Sequence, residues 1–105
     1  EFDNALYGII GLESAFGLLC KHIAPKIGLS LLIEKISINP RKVLQLPQVS
    51  INVGNNANIT LFDPKKEWEF TIDDIKSKSL NTPFLGTKMI GKAFGIINNG
   101  KIKIN

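Results

Sequence analysis

The chain offers few side chains that could bind a metal ion or act as a nucleophile. It has one cysteine, Cys20, and one histidine, His22, whereas a zinc site needs three or four converging ligands. Two positions apart on a helix, these side chains point to nearly opposite sides. We therefore predict that Cys20 lies in the core and His22 at a solvated helix end. We expect no metal ligands and no catalytic residues in this chain.

Two acidic pairs could be interpreted as the paired carboxylates of an acid–base site. Glu67 and Glu69 alternate with apolar residues, as on the solvated face of a strand. Asp73-Asp74 is placed to begin a short helical turn. We predict structural roles for both pairs.

A glycine-rich segment, residues 7–13, leads into the first apolar helical pattern. The free N–H groups of a helix start can hold an anion such as a carboxylate. Gly8 and Gly11 are also permissive for backbone conformation, and Glu13 would complement a helix dipole from the first turn. The residues alone leave both interpretations open, a binding loop or a flexible connection.

The elements that must position this segment are predicted from apolar spacing. Apolar residues between Leu12 and Ile23 recur every three or four positions and predict a helix that ends at Pro25 and Gly28. A second helix is predicted from Ser30, as N-cap, to about Ile36. A third begins at Asn39-Pro40, with Asn39 as N-cap.

The second half of the chain changes to a period of two, which is typical of strands. A run of helices followed by a run of strands indicates the α+β class, with a seam near Pro47. The dipeptide Asn99-Gly100 predicts a tight hairpin turn between the last two strands. The predicted strands are Val49–Val53, Ile59–Phe62, Trp68–Ile72, Ile90–Asn98 and Lys101–Ile104.

The composition and charge of the chain limit the kinds of partner that we expect it to bind. The 105 residues suffice for one domain or part of one, and the net charge of +4 comes from lysines that are mixed with acidic residues rather than clustered. We therefore expect no nucleic-acid partner. No apolar run reaches the length of a membrane span, so we expect a soluble protein without a membrane partner. A lone cysteine suggests a reducing, cytoplasmic setting.

Four stretches of the chain carry distinctive motifs: residues 7–13 (Y-G-I-I-G-L-E), 39–44 (N-P-R-K-V-L), 57–64 (A-N-I-T-L-F-D-P) and 77–86 (S-K-S-L-N-T-P-F-L-G). Taken in order, these stretches resemble the bacterial dihydroorotases of the amidohydrolase superfamily. Those chains carry F-G-I-x-G-L-E, N-P-A-x-x-L, D-L-x-x-F-D-P and S-K-x-x-N-T-P-F-x-G near the C-terminus. The second and third motifs are shared with hydantoinases and allantoinases, whereas the last favours dihydroorotase.

The resemblance implies a fold larger than this chain. The family has a TIM barrel with a small β-sandwich assembled from both chain ends. Residues 1–47 would be the last barrel loop and the terminal barrel helices, and residues 48–105 would be the C-terminal β-sandwich or β-roll segment. The family's zinc ligands lie on barrel strands that would precede Glu1.

The resemblance also implies a function. The chain would be the C-terminal portion of a dihydroorotase, the zinc amidohydrolase that interconverts N-carbamoyl-L-aspartate and L-dihydroorotate in pyrimidine biosynthesis. The family's last barrel loop holds the substrate through the backbone of a Phe-Gly pair, which corresponds here to Tyr7 and Gly8. Leu6-Tyr7 stands where the family usually has Pro-Phe. Zinc is implied for the intact protein, and we expect the isolated chain to bind none and to be inactive.

Three alternatives stay open from the sequence. One is a non-catalytic dihydroorotase-like subunit that supports a partner such as aspartate transcarbamoylase. The second is another cyclic amidohydrolase of the allantoinase or hydantoinase type, and the third is a small-ligand binding module. Because a barrel cut near its last helices leaves apolar helix faces and sandwich strands without their partners, we also predict a homo-oligomer.

Overall fold

A computed structural model describes residues 2–105. Within these residues, helices occupy the first half and a three-stranded antiparallel sheet the second, so the predicted α+β class is confirmed. A π-helical turn, Glu34–Ile38, joins the third helix to the fourth, and 3-10 turns lie at Phe2–Asn4 and Ile72–Asp74. The α-helices are α1 (Ala15–His22), α2 (Ala24–Ile27), α3 (Leu29–Ile33) and α4 (Asn39–Val43).

The strands follow one another in the sheet in chain order, β1 (Asn58–Glu69), β2 (Lys88–Asn98) and β3 (Lys101–Ile104). The turn between β2 and β3 has positive φ at both Asn99 (49°) and Gly100 (70°). This is the backbone that a two-residue hairpin needs to match strand twist. The predicted Asn-Gly hairpin is therefore confirmed.

β1 replaces two predicted strands. The sequence predicted a break at Asp63-Pro64, but the strand continues, and the pairing shifts between Asp63 opposite Lys92 and Glu67 opposite Ile90. Pro64 cannot donate to a ladder hydrogen bond, so it is tolerated within this bulge. The backbone N–H of Lys65 donates instead to Oδ1 of Asp63, at 2.8 Å.

The predicted strand Val49–Val53 is wrong. These residues form no strand in the structure, and Val49, Ile51 and Val53 are all exposed. Alternating apolar residues create a potential sheet face, but a strand also needs a neighbour that takes its backbone hydrogen bonds. The segment pairs with none of the three described strands.

The helix starts also differ from the prediction. α3 begins at Leu29, directly after Gly28 with φ of 85°, so Ser30 lies inside the helix rather than at its cap. Asn39 is not an N-cap either, because Ile38 and Asn39 both keep helical backbone angles. The π-helical turn, an irregular stretch of helix, ends just before Asn39-Pro40. Proline lacks the backbone N–H that a regular helical hydrogen bond requires.

α1 packs against β2 through small residues. A Cβ added to Gly17 would lie 3.0 Å from Cβ of Met89, and one added to Gly91 would lie 2.7 Å from Cβ of Cys20. The two glycines therefore allow the helix and the strand to approach closely. The buried apolar side chains belong to Cys20, Leu32, Phe70 and Met89.

This core is small for the length of the chain. The radius of gyration is 16.0 Å, whereas a compact domain of this length has a value of about 13 Å. Many large apolar side chains remain exposed on helices, loops and strands, among them Val43, Ile51 and Ile102. Within residues 2–105, no helix is long and apolar enough to cross a membrane.

Candidate functional site

The candidate substrate loop, residues 7–13, precedes α1 and displays its backbone. The Tyr7 side chain is 99% exposed, and Gly8 has a φ of 67° with open space where a Cβ would be. A residue with a side chain would be strained at this φ. The glycine therefore allows a turn that leaves the Tyr7–Gly8 peptide accessible.

Asn81 holds this loop from the other half of the chain. Its side-chain Nδ2 donates a hydrogen bond to the carbonyl oxygen of Gly8. Its own carbonyl oxygen accepts from the backbone N–H of Ile10, at 2.9 Å. The two hydrogen bonds therefore hold the loop backbone at Gly8 and at Ile10, on either side of Ile9.

Glu13 makes a second connection between the same two segments. Its Oε1 atom accepts hydrogen bonds from the backbone nitrogens of Lys76 (3.0 Å) and Ser77 (2.7 Å) and from Oγ of Ser77 (2.8 Å). The Ser77 hydroxyl, followed by the backbone N–H donors, lowers the pKa of the Glu13 carboxyl below its ordinary value. The loop is thus connected to residues 76–81 by three hydrogen bonds to Oε1 of Glu13 and by the two hydrogen bonds with Asn81.

The anchoring segment is itself ordered by short-range hydrogen bonds. Oγ of Ser79 accepts from the backbone N–H of Asn81 at 3.1 Å, and Oγ1 of Thr82 accepts from that of Phe84 at 3.2 Å. Hydroxyls commonly stabilise turns in this way. Farther along, the backbone N–H of Gly86 donates at 2.8 Å to the carbonyl of Phe70, the residue directly after β1. This bond connects the segment to the end of the sheet.

The acidic pairs lie where the sequence predicts, one in a short helical turn and one on the exposed face of a strand. Oδ2 of Asp74 accepts from the backbone and hydroxyl of Thr71 and so caps the Ile72–Asp74 turn. Its Oδ1 lies 3.2 Å from Nζ of Lys92. Burial alone would raise the pKa of Asp74, but these hydrogen bonds and the lysine charge leave it lowered. Glu67 and Glu69 are exposed on β1.

The predicted placement of Cys20 and His22 is confirmed. Cys20 is buried against β2, where burial raises the pKa of its thiol, and His22 is exposed in the last turn of α1. In the part of the chain that the structure describes, no three His, Cys, Asp or Glu side chains come together as a metal site. Among residues 2–105, no group of side chains is therefore placed to hold the zinc ion that the resemblance implies for the intact protein.

Sequence reasoning missed the roles of Glu13 and Asn81. Glu13 was expected in the first turn of a helix, but α1 begins two residues later, at Ala15, and the carboxylate binds Ser77. A helix pattern says nothing about a partner 64 positions away. The available signal was that both residues belong to the motifs that carry the family resemblance.

Comparison with curated proteins confirms that resemblance. Dihydroorotase from Chlorobaculum tepidum is 44% identical over 102 residues, which cover 95% of this chain and 23% of that protein. Dihydroorotases from Geotalea daltonii and Trichlorobacter lovleyi are 41% and 43% identical over 103 residues, 97% of this chain and 24% of each protein. No family model matches the chain.

The chain therefore spans about a quarter of the length of the curated relatives that it matches. The match is to a C-terminal portion of dihydroorotase. The relatives' names do not favour the alternatives of a non-catalytic subunit or of an allantoinase or hydantoinase.

Proposed function

We propose that this chain is the C-terminal portion of an active dihydroorotase, which interconverts N-carbamoyl-L-aspartate and L-dihydroorotate. The observation that carries the proposal is 44% identity to a dihydroorotase across 95% of the chain. The structure adds support, because the motifs at residues 7–13 and 77–86 are hydrogen-bonded to each other through Asn81 and Glu13.

The proposed arrangement assigns each half of the chain to a part of the amidohydrolase fold. Residues 1–47 form the last barrel loop and the terminal barrel helices, and residues 48–105 form the C-terminal β-sandwich segment. The helical first half and the antiparallel second half support this division. The exposed Val49, Ile51 and Val53 would then pair or pack with parts of the protein outside this chain.

Tyr7 and Gly8 are the proposed substrate contacts, through backbone rather than side-chain atoms. Among residues 2–105, neither N–H group donates to another backbone carbonyl. Both groups therefore remain free to donate to a ligand oxygen. A backbone contact tolerates tyrosine in place of the family's phenylalanine, because the backbone N–H is the same for either side chain.

Metal and proton chemistry would come from residues outside this chain. In the proposed enzyme, zinc supplies an activated water when bound. Residues 2–105 bring no metal-binding group together, so the isolated chain is proposed to be inactive. Its exposed apolar side chains are proposed to drive self-association into a homo-oligomer.

Assaying the full-length protein and the isolated chain with L-dihydroorotate tests the proposal. Zinc-loaded full-length protein should open the ring to N-carbamoyl-L-aspartate, and the isolated chain should show no turnover above background. Hydantoin and allantoin serve as control substrates. Failure of the full-length protein to act on dihydroorotate, or turnover by the isolated chain in zinc-supplemented buffer, would contradict the proposal.

A further inference from the structure

We infer that Asn81 is a positioning residue, which fixes the backbone of the substrate loop by holding the Gly8 carbonyl. The inference rests on the proposed function, since it concerns how Tyr7 and Gly8 meet the substrate. Asn81 itself is not placed against the substrate.

The geometry of the contact supports this role. Asn81 uses its side-chain Nδ2 on the carbonyl of Gly8 and its backbone carbonyl on the N–H of Ile10. Two contacts from one residue to both sides of Ile9 set the position and the orientation of the intervening peptides. The Gly8 carbonyl belongs to the Gly8–Ile9 peptide, so once it is held, the Tyr7–Gly8 peptide can move only by rotation about φ and ψ of Gly8.

The backbone at Gly8 depends on these hydrogen bonds for a defined conformation. Glycine visits positive and negative φ about equally, so an unrestrained Gly8 would sample several loop conformations. Gly8 and Gly11 have no heavy atom within 4 Å of an added Cβ, so side-chain packing does not confine them. Ile10 is half-buried, and the Gly11 carbonyl accepts from the backbone N–H of Ala15 at 2.8 Å. At Gly8 itself, the described hydrogen bond is the one that Asn81 donates to its carbonyl.

The contact requires an amide in particular. The Gly8 carbonyl needs a donor, which the asparagine amide supplies, whereas the carboxylate of aspartate offers only acceptors. Asn81 is in turn held by Ser79, whose Oγ accepts from its backbone N–H at 3.1 Å. The side chain is half-buried, so water competes only partly for the bond.

Loss of the amide should weaken substrate binding and leave the chemical step nearly unchanged. The loop contacts the bound substrate and the transition state alike, so its disorder raises KM more than it lowers kcat. From the net contribution of one hydrogen bond, we expect KM for dihydroorotate to rise by about 5- to 10-fold in Asn81→Ala and Asn81→Asp. We expect kcat to stay within about 2-fold.

The experiment compares steady-state kinetics of the full-length wild-type protein, Asn81→Ala, Asn81→Asp and the control Asn56→Ala. Asn56 is an exposed asparagine two residues before β1, and the hydrogen bonds to the loop come from other residues. A purely structural role would lower the active fraction, which reduces apparent kcat with KM unchanged. KM does not depend on enzyme concentration, so it reports on binding even where a variant folds poorly.

A rise in KM for both Asn81 variants, with Asn56→Ala unchanged, supports the inference. An unchanged KM in an active wild-type background overturns the inference and leaves the proposed function standing. A wild-type protein without turnover overturns the proposed function and the inference together.

Discussion

Oε1 of Glu13 lies 2.7 Å from the backbone nitrogen of Ser77 and 2.8 Å from its hydroxyl oxygen, across 64 positions of sequence. The contact joins the segment before α1 to the loop that follows the Ile72–Asp74 turn. Because donors converge on one carboxylate oxygen, the charged form of Glu13 is favoured. Glu13 and Asn81 thus connect the motif at residues 7–13 to the motif at residues 77–86.

Replacing Glu13 with glutamine should lower the stability of the chain at neutral pH. The folded-state pKa of Glu13 is below its ordinary value of 4.5. The stabilisation is therefore fully present above that value and is lost as the pH falls through the folded pKa. Thermal unfolding of wild type and Glu13→Gln from pH 7 to pH 3 should show a gap that closes toward the acid end.

Glu69→Gln is the matched control for this titration. Glu69 is exposed on β1 and accepts no hydrogen bond from the loops that Glu13 joins. Its substitution should leave the melting temperature nearly unchanged at every pH. A Glu13→Gln gap that is constant from pH 7 to pH 3 would show that the charge of Glu13 contributes nothing.

Replacing Gly91 with alanine should destabilise the chain through both strain and crowding. Gly91 has a φ of 91°, and its added Cβ would lie 2.7 Å from Cβ and 2.8 Å from Sγ of Cys20. Positive φ costs about 1–2 kcal/mol and overpacking about 1–3 kcal/mol, so we expect a loss of about 2–5 kcal/mol. Urea unfolding followed by the fluorescence of Trp68, the single tryptophan, measures it.

Gly28→Ala separates the two causes. Gly28 also has positive φ, 85°, but an alanine there would meet no atom within 4 Å. It should therefore carry the strain without the crowding. Equal losses for the two variants would rule out close packing of α1 on β2 as a cause.

Replacing Trp68 with phenylalanine should remove one specific hydrogen bond. Nε1 of Trp68 donates to the carbonyl of Gly91 at 2.9 Å, and Gly91 lies opposite the β1 bulge, where the strand register gives it no partner. We expect a loss of about 1–2 kcal/mol in the free energy of unfolding, measured by circular dichroism in urea.

Lys92→Met tests how much the lysine charge beside the Trp68 ring contributes when the indole hydrogen bond is kept. It removes the ammonium group 4.3 Å from the Trp68 ring centroid and the partly exposed ion pair with Asp74. The indole donor stays in place. The loss should be smaller, about 0.5–1 kcal/mol, and a larger loss than for Trp68→Phe would contradict this ranking.

The isolated chain should self-associate. Its buried apolar side chains are few, whereas Val43, Ile51 and Ile102 are among many that are more than half exposed. Covering such surface contributes about 25 cal/mol per Å². Light scattering at micromolar concentration should give a mass above that of one chain, and a clean monomer would contradict the prediction.

The sequence predicted those parts of the fold that local chemistry determines. Asn99-Gly100 specifies its turn because both residues tolerate positive φ, and the apolar spacing before Pro25 located α1 to within a few residues. The alternation at Val49–Val53 failed because pairing depends on a neighbour that the pattern cannot supply. The predicted break at Asp63-Pro64 is wrong because a bulge in β1 accommodates a residue that normally ends a strand.

The candidate site could be predicted only in part. Cys20 and His22 were assigned structural places by ligand count, and the structure agrees. Tyr7 and Gly8 came from resemblance alone, and their role as substrate contacts stays a prediction. The anchoring by Glu13 and Asn81 was out of reach, because it is a contact between distant segments that no helix or strand period encodes.

A crystal structure of the zinc-loaded full-length protein with bound dihydroorotate tests the central claim most directly. We predict a backbone N–H of Tyr7 or Gly8 within about 3 Å of a substrate oxygen, the Gly8 carbonyl still bound by Asn81, and every zinc ligand outside residues 2–105. A substrate bound without contact to this loop, or zinc held by Cys20 or His22, would contradict the account.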